Sequence, residues 1–400
     1  MGAIEQVFFR KILDSRGNAT VEVEVFDEDG SIGRAAAPSG ASTGAHEVAA
    51  WAKGGVDDSL AVARAELLEE ISGVDVLLQR EIDEAIVTLD GTDDLSRIGG
   101  NLAVATSLAV ARCAAASLGI PLYAYLGGTF VSRLPRPFGN VLGGGAHAVG
   151  GTDIQEYMAV ALGPTVVESV FANAKVHKLV KDELKKRYPG ISLGKGDEGA
   201  WNAPIGNVEA LELVAGVCDV VGDEAGFEIR PALDVAATEL WDGKVYNYKD
   251  GKRTSADQVE FLADLASRFG LLSIEDGLAE DDWDGWIALT KRIGDKVLIV
   301  GDDLFTTNPE RVRSGIERRA GNAVLIKPNQ IGTLSRTVET IQLAHENGFK
   351  TVISHRSGET TDDAIAHIGA AFGCFGIKTG AVGGERIAKL NELIRIEEEL

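Results

Sequence analysis

The sequence predicts a small α+β domain over residues 1–130, followed by a β/α barrel over residues 131–400. Two observations support this prediction. Near the N-terminus, apolar and polar residues alternate as they do in an antiparallel sheet. In the second part, a short apolar run that ends in a charged residue repeats, and each repeat is followed by a segment long enough for a helix. A chain of 400 residues also fits two or three domains better than a single core.

The N-terminal domain is predicted from residues 20–26, which alternate strictly between apolar and polar side chains. This period-two pattern predicts a strand with one buried face, and residues 4–13 and 32–37 are predicted as its neighbours. A glycine-rich loop, residues 38–44, is predicted to be mobile. Helices are then predicted over about 57–71, 76–87 and 101–118.

The barrel is predicted from six apolar runs that follow one another at intervals of 23 to 41 residues. These runs suit strands buried on both faces. A closed β/α barrel would bring the strand ends together at its C-terminal face, where such folds place their active sites. An open doubly wound sheet is the alternative, although it usually concentrates polar groups at one crevice. The runs end at Asp234, Glu275, Asp302, Lys327, His355 and Lys378.

The charges of these strand ends indicate a type of chemistry. Three are carboxylates, an all-oxygen set suited to a hard cation such as magnesium, and three are basic. A net charge of -22 disfavours nucleic acid and anionic membranes as partners, so an anionic substrate would need a local group of cations or bound metal. A lysine held near metal and other cations would have a lowered pKa and could act as a neutral base.

Longer stretches of the sequence are a more specific indication of family than the charges of single residues. They include LDSRGNATVEVEV, PSGASTGAHE, KGDEGAWNAP, SIEDGLAEDDW, GDDLFTTNP, LIKPNQIGT and ISHRSGET. Along nearly its whole length the chain resembles the enolase family, in a short, archaeal-like form. The resemblance implies a TIM-like, enolase-type barrel. It also implies a lyase that dehydrates 2-phospho-D-glycerate to phosphoenolpyruvate with two magnesium ions per active site.

The resemblance also implies a role for individual residues. Lys327 would remove the C2 proton, and Glu198, helped by Glu156, would protonate the departing hydroxyl group. Arg356 and Ser357 would hold the phosphate, and Lys378 the substrate carboxylate. The implied catalytic set is Glu198, Lys327, Glu156 and His355. The implied substrate contacts are His147, Gln155, Glu156, Arg356, Ser357 and Lys378. The implied metal ligands are Asp234, Glu275 and Asp302 for one ion, and Ser42 for the second.

Two short motifs offer competing interpretations. The tripeptide GDE occurs twice, so Glu198 and Glu224 both compete for the acid role. Glu198 is preferred because it lies in a glycine-rich loop before the helix predicted over residues 208–221, on the face where Asp234 emerges. Glu224 follows that helix and is predicted in a turn at the opposite end of the barrel. GASTG, at residues 40–44, matches the G-x-S-x-G pattern of serine hydrolases. It lacks the strand–turn–helix context that Ser42 would need to be a nucleophile.

Some features of the chain depart from the family or leave alternatives open. Gly277 stands where a proline normally follows the metal-ligand pair and is expected to loosen that loop, and Trp201 is unusual after GDEG. Another lyase or isomerase of the superfamily, or a non-catalytic binding protein, are the functional alternatives. The three cysteines are predicted to be reduced and the protein cytoplasmic, with no signal peptide. The resemblance implies a homodimer or an octamer.

Overall fold

A computed structural model describes residues 2–40, 44–148 and 150–400. Within them, the first part of the chain forms an antiparallel sheet packed against helices, with strand order β1-β2-β3. Its strands are β1 (Ile4–Leu13), β2 (Ala19–Asp27) and β3 (Ile32–Ala36). Its helices are α1 (Val56–Val62), which continues through a π-helical segment (Ala63–Leu67) into α2 (Leu68–Ile71), then α3 (Gln79–Asp90), α4 (Gly100–Ser117) and α5 (Leu122–Gly127).

The alternating segment forms β2, as predicted, and its three valines are fully buried. The polar face of this strand is not simply solvated. Glu24 is only 5% exposed, because Arg10 and Arg34 both form ion pairs with its carboxylate. The sheet therefore packs its apolar face on α4 and covers its acidic face with arginine side chains.

Helix α4 is almost entirely buried, in keeping with its alanine-rich sequence. Among the described residues, no single helix is long and apolar enough to cross a membrane. Only α4 taken together with the segment Leu122–Phe130 reaches that length and composition, and this pair is bent by 94°.

The second part of the chain is a closed barrel with helices around it. Its strands and the short strands beside it are β4 (Arg136–Gly143), β5 (Glu156–Ala161), β6 (Gly194–Lys195), β7 (Trp201–Asn202), β8 (Ile229–Asp234), β9 (Tyr246–Tyr248), β10 (Gly251–Arg253), β11 (Ser273–Glu275), β12 (Leu298–Gly301), β13 (Ala323–Ile326), β14 (Lys350–Ser354) and β15 (Gly376–Lys378). Its helices are α6 (Val166–Arg187), α7 (Asn207–Ala225), α8 (Ser255–Phe269), α9 (Trp283–Ile293), α10 (Pro309–Arg318), α11 (Leu334–Glu346), α12 (Ala364–Ala371) and α13 (Gly384–Glu399).

The barrel strands follow the order β4-β5-β8-β11-β12-β13-β14-β15, and β15 pairs back with β4. This closure confirms the barrel and excludes the open-sheet alternative. The six predicted runs all form strands, whereas β4 and β5 were not predicted as barrel strands. β5 runs antiparallel to both of its neighbours, so its first residue, Glu156, lies beside Asp234 at the end of β8.

The barrel interior is divided into two layers. A cluster of apolar side chains fills the lower part, which leaves the ionisable strand ends above it. This cluster consists of Phe138, Met158, Val160, Ala232, Leu272, Val300, Ala323, Leu325 and Val352. A second, larger core joins the outer face of the barrel to the surrounding helices and continues into the N-terminal sheet.

Candidate active site

The predicted strand ends meet at one rim of the barrel. Asp234 and Glu275 are paired neighbours at the ends of β8 and β11, and Lys378 ends β15. Asp302 and Lys327 each follow directly after a strand. The side chains are buried or nearly so, with Lys327 the more exposed of its pair at 14%. The parallel strands explain this convergence, because their carboxyl ends share one edge.

The ammonium group of Lys378 lies among three carboxylates. Its Nζ is 2.8 Å from Glu275 Oε1, 3.0 Å from Asp234 Oδ2 and 3.2 Å from Glu156 Oε1. Burial by itself would lower the pKa of Lys378, but the surrounding carboxylates outweigh it and hold the pKa well above its ordinary value. The cluster is thus arranged to stabilise positive charge.

The donor set fits a hard divalent cation. The three ligands implied for the first ion are all carboxylates, whose oxygens magnesium prefers. The Lys378 ammonium lies between two of them, Asp234 and Glu275, where a cation would bind. Burial and the charge of Asp234 raise the pKa of Glu275 well above its usual value, which marks a group of negative charges in need of a counter-ion.

A second group of acidic oxygens overlaps this one. Ligand atoms of Asp276, Asp302 and Asp303 lie within 4.8 Å of one another. Both carboxylate oxygens of Asp276 already accept backbone N–H groups, from Asp302 at 2.9 Å and from Asp303 at 3.0 Å. Asp276 therefore orders the loop after β12, and Asp302 is the residue common to both groups.

The surroundings of Lys327 act on its pKa in opposite directions. Burial lowers the pKa, but the Asp302 carboxylate, which contacts the Lys327 ammonium directly, raises it above the ordinary value overall. The lowered pKa expected near bound metal stays a prediction, and among the side chains alone the adjacent carboxylate outweighs the nearby cations. Those cations, Arg356 and Lys378, do oppose the charged form.

The two GDE stretches separate in space. Glu198 lies at the rim, where Asn140 Nδ2 donates to its Oε2 at 3.1 Å and His355 Nε2 lies 3.3 Å from its Oε1. Burial and the charge of Glu198 raise the pKa of Glu156 well above its usual value. Glu224 is 54% exposed and contacts Lys175. It belongs to the last turn of α7, so its prediction as a turn residue was wrong.

The basic side of the site is equally enclosed. Arg356 is ion-paired with Glu47 of the N-terminal part of the chain. Gln155 Nε2 donates to Asp234 Oδ2 at 3.2 Å. Arg356 and Gln155 help to line a cavity of about 20 Å³, about the space of one ordered water. The cavity is lined by Gln155, Glu156, Glu198, Asp234, Asp302, Lys327, Ser354, His355, Arg356, Ser357 and Lys378. Ser42 and the side chain of His147 lie outside the described residues.

Cavity size alone does not identify this site. A much wider cavity, of about 820 Å³, lies at the opposite end of the barrel, beside the first residues of β4 and β14. It contains none of the predicted site residues. We base the site on converging ionisable groups instead.

Several polar residues beside the site were missed by the sequence analysis. Four of them are Glu47, Asn140, Asp276 and Arg386, and each of these contacts a predicted site residue. Glu47 and Asp276 lie inside the stretches PSGASTGAHE and SIEDGLAEDDW, and Arg386 lies inside a further matching stretch, ERIAKLNELIRIEEEL. The resemblance to the family was therefore the signal that could have singled out these three residues.

The two departures from the family pattern are both packed. The Gly277 carbonyl accepts from Gln258 Nε2 at 3.0 Å, and a Cβ at Gly277 would lie 2.8 Å from Leu262 Cδ1. The backbone at Gly277 is therefore held by a hydrogen bond and by close packing, and the expected effect of the glycine on loop mobility stays a prediction. Trp201 stacks on the imidazole of His177, with ring centroids 5.1 Å apart, and its Nε1 donates to the His177 carbonyl at 2.8 Å.

Comparison with known proteins agrees with this geometry. Residues 4–126 match the family model "Enolase, N-terminal domain", and residues 131–400 match "Enolase, C-terminal TIM barrel domain". A curated protein named enolase from Methanocorpusculum labreanum is 52% identical, and the alignment covers 100% of both chains. Another, from Methanothermobacter thermautotrophicus, is 50% identical over 99% of this chain and 97% of the relative. One from Thermoplasma acidophilum is 46% identical over 99% and 98%.

The family models together span nearly the whole chain, and the relatives align from end to end at about half identity. The barrel with its reversed second strand, the acidic rim and these alignments lead to one conclusion: the chain belongs to the enolase family.

Proposed function

We propose that the protein is a hydro-lyase that interconverts 2-phospho-D-glycerate and phosphoenolpyruvate, a step of glycolysis and gluconeogenesis. The observation that carries this proposal is the rim itself. Lys327 lies against one carboxylate there, and Lys378 lies among three others. Such a site suits a metal-bound substrate with several negative charges. The relatives named enolase support the same activity.

Lys327 is proposed as the base that takes the proton from C2. It must be neutral to do so. The Asp302 carboxylate raises its pKa, whereas the positive charges of Arg356 and Lys378, together with that of a magnesium ion held by Asp302, would favour the neutral form. Asp302, which contacts the ammonium, is a natural partner for the charge that Lys327 carries after it has accepted the proton.

Glu198 is proposed as the acid that protonates the departing hydroxyl group. Its neighbour Glu156 has a strongly raised pKa, so this pair of carboxyl groups is able to hold a proton. His355 and Asn140 both reach the Glu198 carboxylate and would stabilise its charge once the proton has left.

The remaining groups are proposed to bind the substrate and the metal. Arg356 and Ser357 would hold the phosphate, Lys378 the carboxylate, and Gln155 and His147 further parts of the substrate. The metal ligands would be Asp234, Glu275 and Asp302 for one magnesium ion, with Ser42 contributing to a second. When bound, magnesium supplies positive charge that stabilises the negative charge developing on the substrate carboxylate.

We propose three further features of the protein. The chain would divide near residue 130, between the end of α5 and the start of β4. It would assemble as a homodimer or an octamer. It would be cytoplasmic, which agrees with the free, buried thiols of its three cysteines.

The direct test is the rise in ultraviolet absorbance as the purified protein converts 2-phosphoglycerate to phosphoenolpyruvate. We expect rapid turnover with magnesium and none after EDTA has removed it. D-glycerate, which lacks the phosphate that Arg356 and Ser357 would bind, is the control substrate. If folded, metal-loaded protein left 2-phosphoglycerate unchanged, the proposal would be wrong, and turnover of another carboxylic acid would then favour a different lyase or isomerase.

A further inference from the structure

Arg386 connects the two loops that carry the proposed acid and its neighbour. It lies in the first turn of α13 and is fully buried. Its Nη1 donates to His355 Nδ1 at 2.8 Å and to the Arg356 carbonyl at 2.7 Å. Its Nη2 donates to the Ser357 carbonyl at 2.7 Å and to the Asp197 carbonyl at 3.0 Å. One guanidinium thus holds the loop after β14 and the residue before Glu198.

The contact with His355 has a chemical consequence. A guanidinium has only donors, so His355 Nδ1 must accept and cannot carry a proton of its own. A neutral imidazole then carries its single proton on Nε2. That nitrogen lies 3.3 Å from Glu198 Oε1, so the N–H group faces the carboxyl group of the proposed acid.

The surroundings of His355 keep the ring neutral. The side chain is buried, and burial lowers its pKa to about 4 despite the favourable charge of Glu198. The charge of Arg386 acts in the same direction as burial.

We infer that Arg386 is a positioning residue that fixes the Nε2–H tautomer of His355 and thereby directs a hydrogen-bond donor at Glu198. The inference rests on the proposed role of Glu198 as the acid. As Glu198 gives up its proton, the Nε2–H group 3.3 Å away is placed to donate to the carboxylate that remains and to stabilise its charge. In the other tautomer a lone pair would face that carboxylate and would disfavour loss of the proton.

The tautomer can be measured directly in the wild-type protein. Long-range proton–nitrogen correlation spectra of protein labelled with nitrogen-15 histidine distinguish a protonated from an unprotonated ring nitrogen. The His355 signals are identified by their absence in His355→Asn. We expect an unprotonated Nδ1 and a protonated Nε2. A proton on Nδ1, or a mixture of the two tautomers, would overturn the inference, and this result requires neither turnover nor a folded Arg386 variant.

Variants of two buried cations of α13 then separate positioning from general stability. Arg386→Met removes the donors to His355. Lys389→Met is the matched control, since the Lys389 ammonium is also buried but binds Glu359 Oε2 at 2.7 Å and the Thr360 carbonyl at 2.6 Å. We expect a mixture of His355 tautomers in Arg386→Met alone. The wild-type tautomer persisting in Arg386→Met would contradict the inference.

The kinetic readout compares dehydration with exchange of the C2 proton for solvent deuterium. Arg386→Met should slow dehydration by about 10–100-fold more than exchange, which is part of the roughly 10²–10⁴-fold that general acid catalysis typically contributes. Lys389→Met should affect both rates alike. Equal losses in the two variants would reduce Arg386 to a structural role. Failure of the proposed function would look different, because wild-type protein would then show no turnover at all while its tautomer remained measurable.

Discussion

The carboxylate of Glu47 and the guanidinium of Arg356 form a two-pronged ion pair, with both nitrogen–oxygen distances at 3.0 Å. The two residues are 309 positions apart in the sequence, and their side chains are 8% and 3% exposed. The same carboxylate accepts the backbone N–H of Gly44 at 3.0 Å. The N-terminal part of the chain therefore supplies the counter-charge for the residue that we propose binds phosphate.

Replacement of Glu47 by Gln should leave the Arg356 charge buried without its carboxylate. Loss of one partner of a buried ion pair typically costs about 3–5 kcal/mol, so we expect the free energy of unfolding to fall by about that amount. Inorganic phosphate should restore part of the loss, because it can take the place of the missing carboxylate. Urea unfolding with and without phosphate measures both effects.

The control for this experiment is Glu22→Gln. Glu22 pairs with Arg10 at 2.8 Å, but the arginine side chain is 40% exposed, so the expected change is below about 1 kcal/mol. Two results would contradict this role of Glu47 as the counter-charge of Arg356. One is that Glu47→Gln is as stable as wild type, and the other is that phosphate stabilises it no more than it stabilises Glu22→Gln.

Substitutions of the proposed base and acid should separate two steps of the reaction. Lys327→Ala should abolish exchange of the C2 proton, and loss of a general base typically costs about 10²–10⁴-fold in rate. Glu198→Gln should block dehydration and still allow exchange, since the proton leaves before the hydroxyl group. Deuterium incorporation followed by mass spectrometry measures exchange in each variant.

Glu224→Gln is the matched control for Glu198→Gln, because both residues lie in a GDE sequence and only Glu198 lies at the rim. We expect wild-type rates from Glu224→Gln. Ready exchange by Lys327→Ala would remove Lys327 from the role of base, and a dehydration defect in Glu224→Gln would reverse the choice between the two glutamates.

The positions of the six strand ends could be predicted because apolar runs that each end in a charged residue repeat along the chain, and this repeat indicates a barrel. Parallel strands of a barrel bring their last residues to one rim, so runs ending in Asp234 or Lys327 place those residues without any knowledge of side-chain packing. Strand β5 escaped this logic because it runs the opposite way and brings its first residue, Glu156, to the rim.

Other features depend on contacts that no local pattern encodes. The pairing of Glu47 with Arg356 exists only after the N-terminal part of the chain has packed on the barrel. Arg386 is one of several charged residues of α13, and arginine is usually solvent-exposed, so its position in the sequence does not predict that it is buried. The raised pKa of Lys327 follows from its contact with Asp302, which spacing along the chain does not reveal.

Asp276 should control metal affinity without binding the metal itself. Its carboxylate oxygens hold the backbone N–H groups of Asp302 and Asp303, so it positions the loop that carries a proposed ligand. Loss of such a supporting contact typically weakens metal binding by about 10–100-fold. We expect Asp276→Asn to lose magnesium affinity by that factor, as measured by isothermal titration calorimetry.

Asp242→Asn is the control for this experiment. Asp242 Oδ1 likewise accepts two backbone N–H groups, from Lys244 and Val245 at 3.0 Å each, but it does so in a surface turn. Its substitution should leave magnesium affinity unchanged. Wild-type affinity in Asp276→Asn would show that the loop keeps its geometry without the carboxylate.

His177 should make stability depend on pH. The residue is 4% exposed, its Nε2 donates to the Gly199 carbonyl at 2.8 Å, and burial lowers its pKa to about 4 from an ordinary 6.5. Below pH 6.5 the unfolded chain takes up a proton at this histidine while the folded protein does not. Stability is therefore complete above pH 6.5 and decreases as the pH falls toward 4, by about 3 kcal/mol in total at this one site.

His177→Gln removes that titration and keeps a donor for the Gly199 carbonyl. As the pH falls from 7 to 4, we expect the wild type to lose about 3 kcal/mol of unfolding free energy relative to His177→Gln. Between pH 7 and pH 8 this difference in unfolding free energy should stay nearly constant, because His177 is largely deprotonated there in both the folded and the unfolded protein. A constant difference across the whole range, measured by urea unfolding at each pH, would show that the folded protein accommodates the imidazolium beside Trp201.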